Sequence, residues 1–364
     1  MGGKYYAQNL FIALNTLPEE QKPLINVYCQ DDSVFYDLKE NSGYPYMEMS
    51  KIRISFAKRL IKFLMSQISL KLSLRIAPFS INTYDDVLFP YSIGCNPSKL
   101  VYWRPDFQEK YLSAYFSKKD IENRDRGILE CCLRRIPIIF SSEDSRNDFK
   151  KFFPQYANNP TYVVHFAVSQ PDFSGININE LKHKYGIEKE YLFCANQFWI
   201  HKNHLFLFKA FQKAIKKGMD LQLVCTGRMA DDRAPEYVKL LQDFVSNSGL
   251  KDRILTLGII DKMELLCLMK NSYAVIQPSL FEGWNTTVED CKAMSKFVFV
   301  SDIPVHREQI SENVCFFNPY DESDLVYKIQ NVKPVEKIID YSKCIERFGN
   351  DFNSVMNEII SSAE

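Results

Sequence analysis

The stretch QPSLFEGWNTTVEDCKAM, residues 277–294, decides the reading of this chain. An apolar run ends at Gln277, a polar loop carries Glu282 and Gly283, and from Thr286 the pattern turns helical, with Glu289 and Asp290 early in it. Gly283 lets the backbone approach a ligand closely. A helix start offers N–H groups and the positive end of a dipole, which suit phosphate, while carboxylates accept hydrogen bonds from sugar hydroxyls. The same residues also read as plain structure, with a Thr cap at the helix start and acidic residues favourably placed behind it.

Working outward, residues 191–310 alternate short β-branched or aromatic runs with segments of helical period. Strands are predicted at 191–195, 221–225, 254–257, 273–277 and 297–300, and helices at 204–217, 235–247, 262–270 and 286–295. Leu205, Phe208, Phe211 and Ile215 recur at helical steps, so that helix has one apolar face for a sheet. Strands alternating with such helices imply a parallel sheet covered on both faces, with ligands beyond the strands' carboxyl ends. There the chain places residues 196–203, Thr226-Gly227-Arg228, residues 278–283 and Ser301-Asp302. These four polar loops carry Lys202, Arg228 and Glu282, a set suited to a ligand with phosphates and hydroxyls.

The first half is less regular, with strand candidates at 25–29, 87–89, 100–103 and 137–140. It reads as a second, looser α/β domain. Residues 166–175, with Pro171, Ser174 and Gly175 and little periodicity, suit a linker. Division is expected as 1–168, 169–345 and a C-terminal helix, 346–364, returning to the first domain.

At 364 residues the chain exceeds what one core usually serves. Its 45 basic and 45 acidic side chains balance, so no global field favours nucleic acid. The ten cysteines lack CxxC spacing and read as reduced and mostly buried, which favours a cytoplasmic location. Neither a secretory leader nor a membrane span is expected. His201 and His204 flank Lys202, but no further ligand completes a metal set.

Residues 277–294 resemble the E-x7-E signature of the GT4 family of glycosyltransferases. Residues 300–308, VSDIPVHRE, resemble the strand and turn that follow it there, and residues 196–203 resemble the family's loop ending in a phosphate-binding lysine. The resemblance implies a GT-B fold: two Rossmann-like α/β domains facing each other across a cleft. It also implies a nucleotide-sugar donor held mainly by the C-terminal domain, an acceptor on the N-terminal one, and no bound metal or cofactor. Glu282 then lies against the donor sugar and Lys202 against its phosphates. The ribose contact falls to Asp290, at the aligned position, or to Glu289 beside it. Gly283, Trp284, Asn285, Thr286 and Thr287 complete the donor loop. Where the family usually has a diphosphate-clamping arginine stands Gln197, for which Arg228 is a candidate replacement.

In the first half, Gly2-Gly3 resemble the glycine-rich turn that faces the donor phosphates, although no strand-like run precedes them. They read as well as an ordinary terminus. Residues 103–109 resemble a loop of a GT4 subgroup. Asp106 and Gln108 are acceptor or sugar contacts on that resemblance, and Glu109 stands where a histidine is common; a turn nucleated by Pro105 and Asp106 is the plain alternative. Ser142 and its neighbours are expected to cap a helix. Residues 51–75 hold seven basic and no acidic residues, with Lys51, Lys58 and Lys62 opposite an apolar side. Such a helix suits an anionic membrane surface or a solvated domain face.

The resulting expectation is a retaining glycosyltransferase that moves a sugar to a glycan or lipid-linked acceptor in surface polysaccharide or lipopolysaccharide assembly, in the cytoplasm or on the inner membrane face. A nucleotide-sugar epimerase of the same fold, or a non-catalytic relative, are the alternatives.

Overall fold

The computed structural model describes residues 2–29, 31–51, 81–82, 87–90, 95–96 and 100–362. The basic segment 52–75 lies outside them. The first half holds β1 (Ile25–Cys29) paired with β2 (Met47–Lys51), β3 (Ile81–Asn82) paired with β4 (Cys95–Asn96), and the sheet β5-β6-β7 (Tyr102–Arg104, Ile138–Phe140, Thr161–Val163), all parallel. The second half is one six-stranded parallel sheet. Its strands are β8 (Tyr191–Ala195), β9 (Gln222–Thr226), β10 (Ile254–Thr256), β11 (Ala274–Gln277), β12 (Val298–Ser301) and β13 (Val314–Phe317), in the order β10-β9-β8-β11-β12-β13. The α/β class expected from the sequence is the one observed.

Side-chain alternation builds the second sheet. Leu192, Cys194, Leu223, Cys225, Ala274, Ile276 and Phe299 enter one buried cluster with Phe208 and Phe211 of the helix His204–Lys216. Tyr191, Phe193, Val224, Val275, Val298 and Val300 enter the cluster on the other face, with Leu268, Val288 and Cys291. Period-two alternation between two apolar faces explains why these strands read as continuous apolar runs.

The first half is completed from the far end of the chain. The helix Ser342–Ser361 lays Phe348, Phe352, Met356 and Ile359 on Tyr6, Leu10, Phe11 and Leu14 of the helix Gly2–Leu14. At the crossing, a Cβ on Gly349 would stand 2.2 Å from the Ala13 carbonyl oxygen, so only glycine lets the backbones approach this closely. Among the described residues no helix is long and apolar enough to cross a membrane.

Candidate functional site

In the second sheet β8 lies between β9 and β11, so the strand order reverses beside β8 and a crevice opens beyond the carboxyl ends of β8 and β11. The loop after β8 turns through Ile200–Lys202, and Asn203 takes a left-handed conformation (φ 60°) to start the next helix. The loop after β11 returns over it, with the Leu280 N–H donating to the His201 carbonyl at 2.8 Å. This crossing brings Lys202 Nζ within 2.5 Å of Glu282 Oε1, although the residues are 80 apart in sequence. Both side chains are largely buried. Burial pushes the Glu282 pKa up, but the Lys202 charge and its hydrogen bond lead the groups that more than offset it and hold the carboxyl below its ordinary range.

Asn285, rather than a threonine, caps the helix Thr286–Ala293: its Oδ1 accepts from the N–H groups of Thr287 (2.9 Å) and Val288 (3.2 Å). Those two donors, expected to face phosphate, are therefore already paired. The Asn285 Nδ2 donates to Glu282 Oε1 at 3.1 Å and lies 3.3 Å from His306 Nε2, while His306 Nδ1 lies 2.9 Å from the Ser301 carbonyl. These partners assign the proton to Nδ1 and leave Nε2 as acceptor. His306 is fully buried, and burial lowers its pKa, so it stays neutral and orients the amide that holds Glu282. Sequence reasoning did not single it out; its signal was its place in the turn after β12. Thr287 Oγ1 donates to the Ala195 carbonyl at 3.0 Å, tying the helix to β8.

The two adjacent carboxylates differ in what they hold. Glu289 accepts from Lys292 (2.8 Å), Gln309 (2.9 Å) and the Tyr341 hydroxyl, so its oxygens are committed inside the protein. Asp290 pairs through Oδ2 with Lys262 at 2.8 Å, while its buried Oδ1 has no hydrogen-bond partner among the described residues. Burial raises the Asp290 pKa against the opposing Lys262 charge. Lys262 Nζ also lies 5.2 Å from the Tyr5 ring, so the helix that opens with Gly2 and Gly3 starts beside this edge. A Cβ on Gly3 would meet nothing within 4 Å.

Gln197 Oε1 accepts the Arg228 N–H at 3.0 Å, joining the loops after β8 and β9. Gly227 is required there, since its φ is 142° and a Cβ would stand 2.0 Å from the Asn196 carbonyl oxygen. The Arg228 guanidinium is more than half exposed, 3.6 Å from Asp232. His204 stacks on Phe198 at 4.3 Å in the core; His201 is also buried, and burial first, then the Lys202 charge, lowers its pKa to about 3.

The first half forms the opposite wall. A Cβ on Gly283 would lie 2.5 Å from the Pro105 carbonyl oxygen and 2.8 Å from Asp106 Cβ, so the close approach this glycine permits is to the other wall. Asp106 Oδ1 accepts the Gln108 N–H at 3.0 Å, and Gln108 Oε1 accepts from Arg233 of the second half at 3.1 Å. Glu109 is buried between Arg104 and Arg124 (3.2 Å), so its carboxylate is engaged within its own half. Trp284 stacks on His165 at 4.5 Å and 12°, and its Nε1 donates to the Phe166 carbonyl at 3.0 Å. Glu308 accepts from the backbone N–H groups of Glu143 (2.7 Å) and Asp144 (3.0 Å) and lies 2.6 Å from His165 Nε2. Ser142 caps the same helix, Glu143–Phe152, through Ser145.

Residues 177–346 match the family model described as glycosyl transferases group 1. A relative, the O-antigen chain mannosyltransferase RfbU of Salmonella typhimurium, is 33% identical over 165 residues, 45% of this chain; the match spans 42% of that relative's length. Among solved structures, Anabaena Alr3699/HepE in complex with UDP and glucose superposes with a TM-score of 0.61 at 16% identity, over 98% of this chain and 96% of that one. A glycosyltransferase from Rickettsia africae gives 0.56 at 13% identity, over 98% and 92%. The fold is GT-B.

Proposed function

We propose, from the match of residues 177–346 to the group 1 glycosyltransferases, that the protein moves a sugar from a nucleotide-sugar donor to a hydroxyl of a glycan or lipid-linked acceptor, with retention at the anomeric carbon. The observation that carries this reading is the meeting of Lys202 and Glu282 in the crevice between β8 and β11. The donor diphosphate sits against Lys202, displacing its ion pair. Glu282, held by Asn285 and His306, then orients the sugar. The free Oδ1 of Asp290 favours Asp290 over Glu289 as the ribose contact.

The acceptor oxygen bonds to the anomeric carbon on the face from which the phosphate oxygen departs. The acceptor proton passes to that departing oxygen, which leaves as part of the nucleoside diphosphate. The protein's main task is to stabilise charge on the leaving group, and Lys202 supplies the nearest positive charge. A role in surface polysaccharide assembly is supported by the likeness to the O-antigen mannosyltransferase. Cytoplasmic residence, with the basic segment 51–75 on the inner membrane face, belongs to the same proposal.

The test is incubation with UDP-glucose and nucleotide-activated mannose, with and without extracted lipid-linked acceptors, read by mass and by anomeric NMR. Transfer only with acceptor, retaining the anomeric configuration, is expected. An isomerised donor released without acceptor would overturn the reading in favour of an epimerase.

A further inference from the structure

We propose that Glu308 is a positioning residue that latches the two halves together and, through that closure, sets the loop carrying Glu282. The short helix Pro304–Gln309 faces two ways. His306 and Gln309 hold Asn285, the residue that caps the helix after the Glu282 loop and hydrogen-bonds Glu282 itself. Glu308, between them, reaches the opposite half and supplies both carboxylate oxygens to the first two N–H groups of the helix Glu143–Phe152. Those donors are ones a helix cannot satisfy internally, and they sit at the positive end of its dipole. With Ser142 pairing the third, all three are held by protein groups only while the halves are together.

His165 closes the circuit. Its Nε2 meets Glu308, and its ring stacks on Trp284, two residues beyond Glu282. From Glu308 a chain of contacts runs through His165, Trp284 and the Glu282 loop to Asn285 and back through His306 to the helix that bears Glu308. Burial raises the Glu308 pKa, but His165 and the two backbone N–H groups outweigh it and keep the carboxyl below its ordinary range, so it is charged while it holds the latch. One carboxylate thus accepts from three donors of the opposite half, and such charge-assisted hydrogen bonds are stronger than neutral ones.

The full chain carries three tryptophans, so the Trp284 indole N–H can be followed individually by NMR hydrogen exchange. Glu308→Ala is expected to speed exchange at the Glu143 and Asp144 amides and also, by about tenfold, at the Trp284 indole, which Glu308 does not touch. His165→Phe, which keeps a ring on Trp284 but loses the polar contact, is expected to speed the same sites less. Unchanged exchange at the Trp284 indole in Glu308→Ala overturns the latch. A second readout, the share of donor lost to hydrolysis rather than transfer, rests on the transferase reading. It is expected to rise about threefold or more in Glu308→Ala and to recover partly in Glu308→Asp, because an open cleft admits water. Faster exchange with an unchanged hydrolysis share in a folded variant overturns the positioning role. If the unaltered protein turns over no nucleotide-sugar, the functional reading fails while the exchange experiment still decides the latch.

Discussion

Around β8, β9, β11 and β12 each strand alternates between two apolar clusters, and the polar residues follow at the carboxyl ends. Around β5, β6 and β7 the strands are three residues long, and their core is finished by a helix from the other end of the chain. The contrast extends to the cleft. On the second half's wall, Lys202, Glu282 and Asp290 Oδ1 point to ligand chemistry. On the first half's wall, the candidate contacts Gln108 and Glu109 are engaged with Arg233, Arg104 and Arg124. On the proposed function, one wall holds a charged ligand and the other closes upon it.

The largest effect that tests this contrast is on the chemical wall. Lys202→Ala is expected to lower kcat/KM for transfer by about 10²- to 10³-fold, since it removes the positive charge nearest the leaving diphosphate. It also leaves Glu282 buried without its cation, so the carboxyl pKa rises. A folded-state pKa held low contributes stability present above the unfolded value and lost as pH falls through the folded one. Acid unfolding of the variant should therefore begin at higher pH. A wild-type rate in this variant would erase the contrast.

Next comes the contact between walls. Gly283→Ala forces Pro105 away, and a displacement on the order of 1 Å in the closed cleft is expected to cost about tenfold or more in turnover. Donor affinity measured by calorimetry should change much less. An equal loss in both would place Gly283 against the donor instead.

Third, Gly349→Ala should destabilise by about 1–3 kcal/mol, read as a lower denaturant midpoint, because two helix backbones must separate. Finding the first half's amides to exchange faster than the second half's would sharpen the division between them.

Fourth, Asp144 sits in the closing wall with its pKa raised to about 6, by burial first and then by the charges of Asp148 and Glu308. For a carboxyl with a raised folded-state pKa, the stabilising contribution is full below the unfolded value near 4 and is lost as pH rises through about 6. Asp144→Asn should thus stabilise the protein at pH 8 and not at pH 4, on the order of 1 kcal/mol after solvent screening. Equal effects at both pH values would refute it.

The smallest effect is expected from Arg228→Ala. Its guanidinium is exposed, so turnover should stay within about threefold of the unaltered protein. A loss matching that of Lys202→Ala would restore Arg228 to the diphosphate clamp.

What could be read without coordinates was local and periodic. The strands Ile25–Cys29 and Tyr191–Ala195 and the helices Pro235–Asn247 and Lys262–Lys270 keep the bounds their patterns implied. β2, β7 and β13 were not anticipated, because short strands with half-buried residues lack a strong pattern. The Asn285 cap was passed over for its threonine neighbours. Apolar periodicity and polar strand ends determined the α/β class, the edge of the second sheet that carries the candidate site, and the residues Lys202 and Glu282 upon it. Which carboxylate keeps a free oxygen, that Glu109 is sealed in ion pairs, that Gly283 serves the opposite wall and that Glu308 crosses the cleft were decided only by tertiary structure. Most of these depend on distant partners, as Glu308 does on Glu143, 165 residues away, and a side chain's local pattern carries no information about so distant a partner.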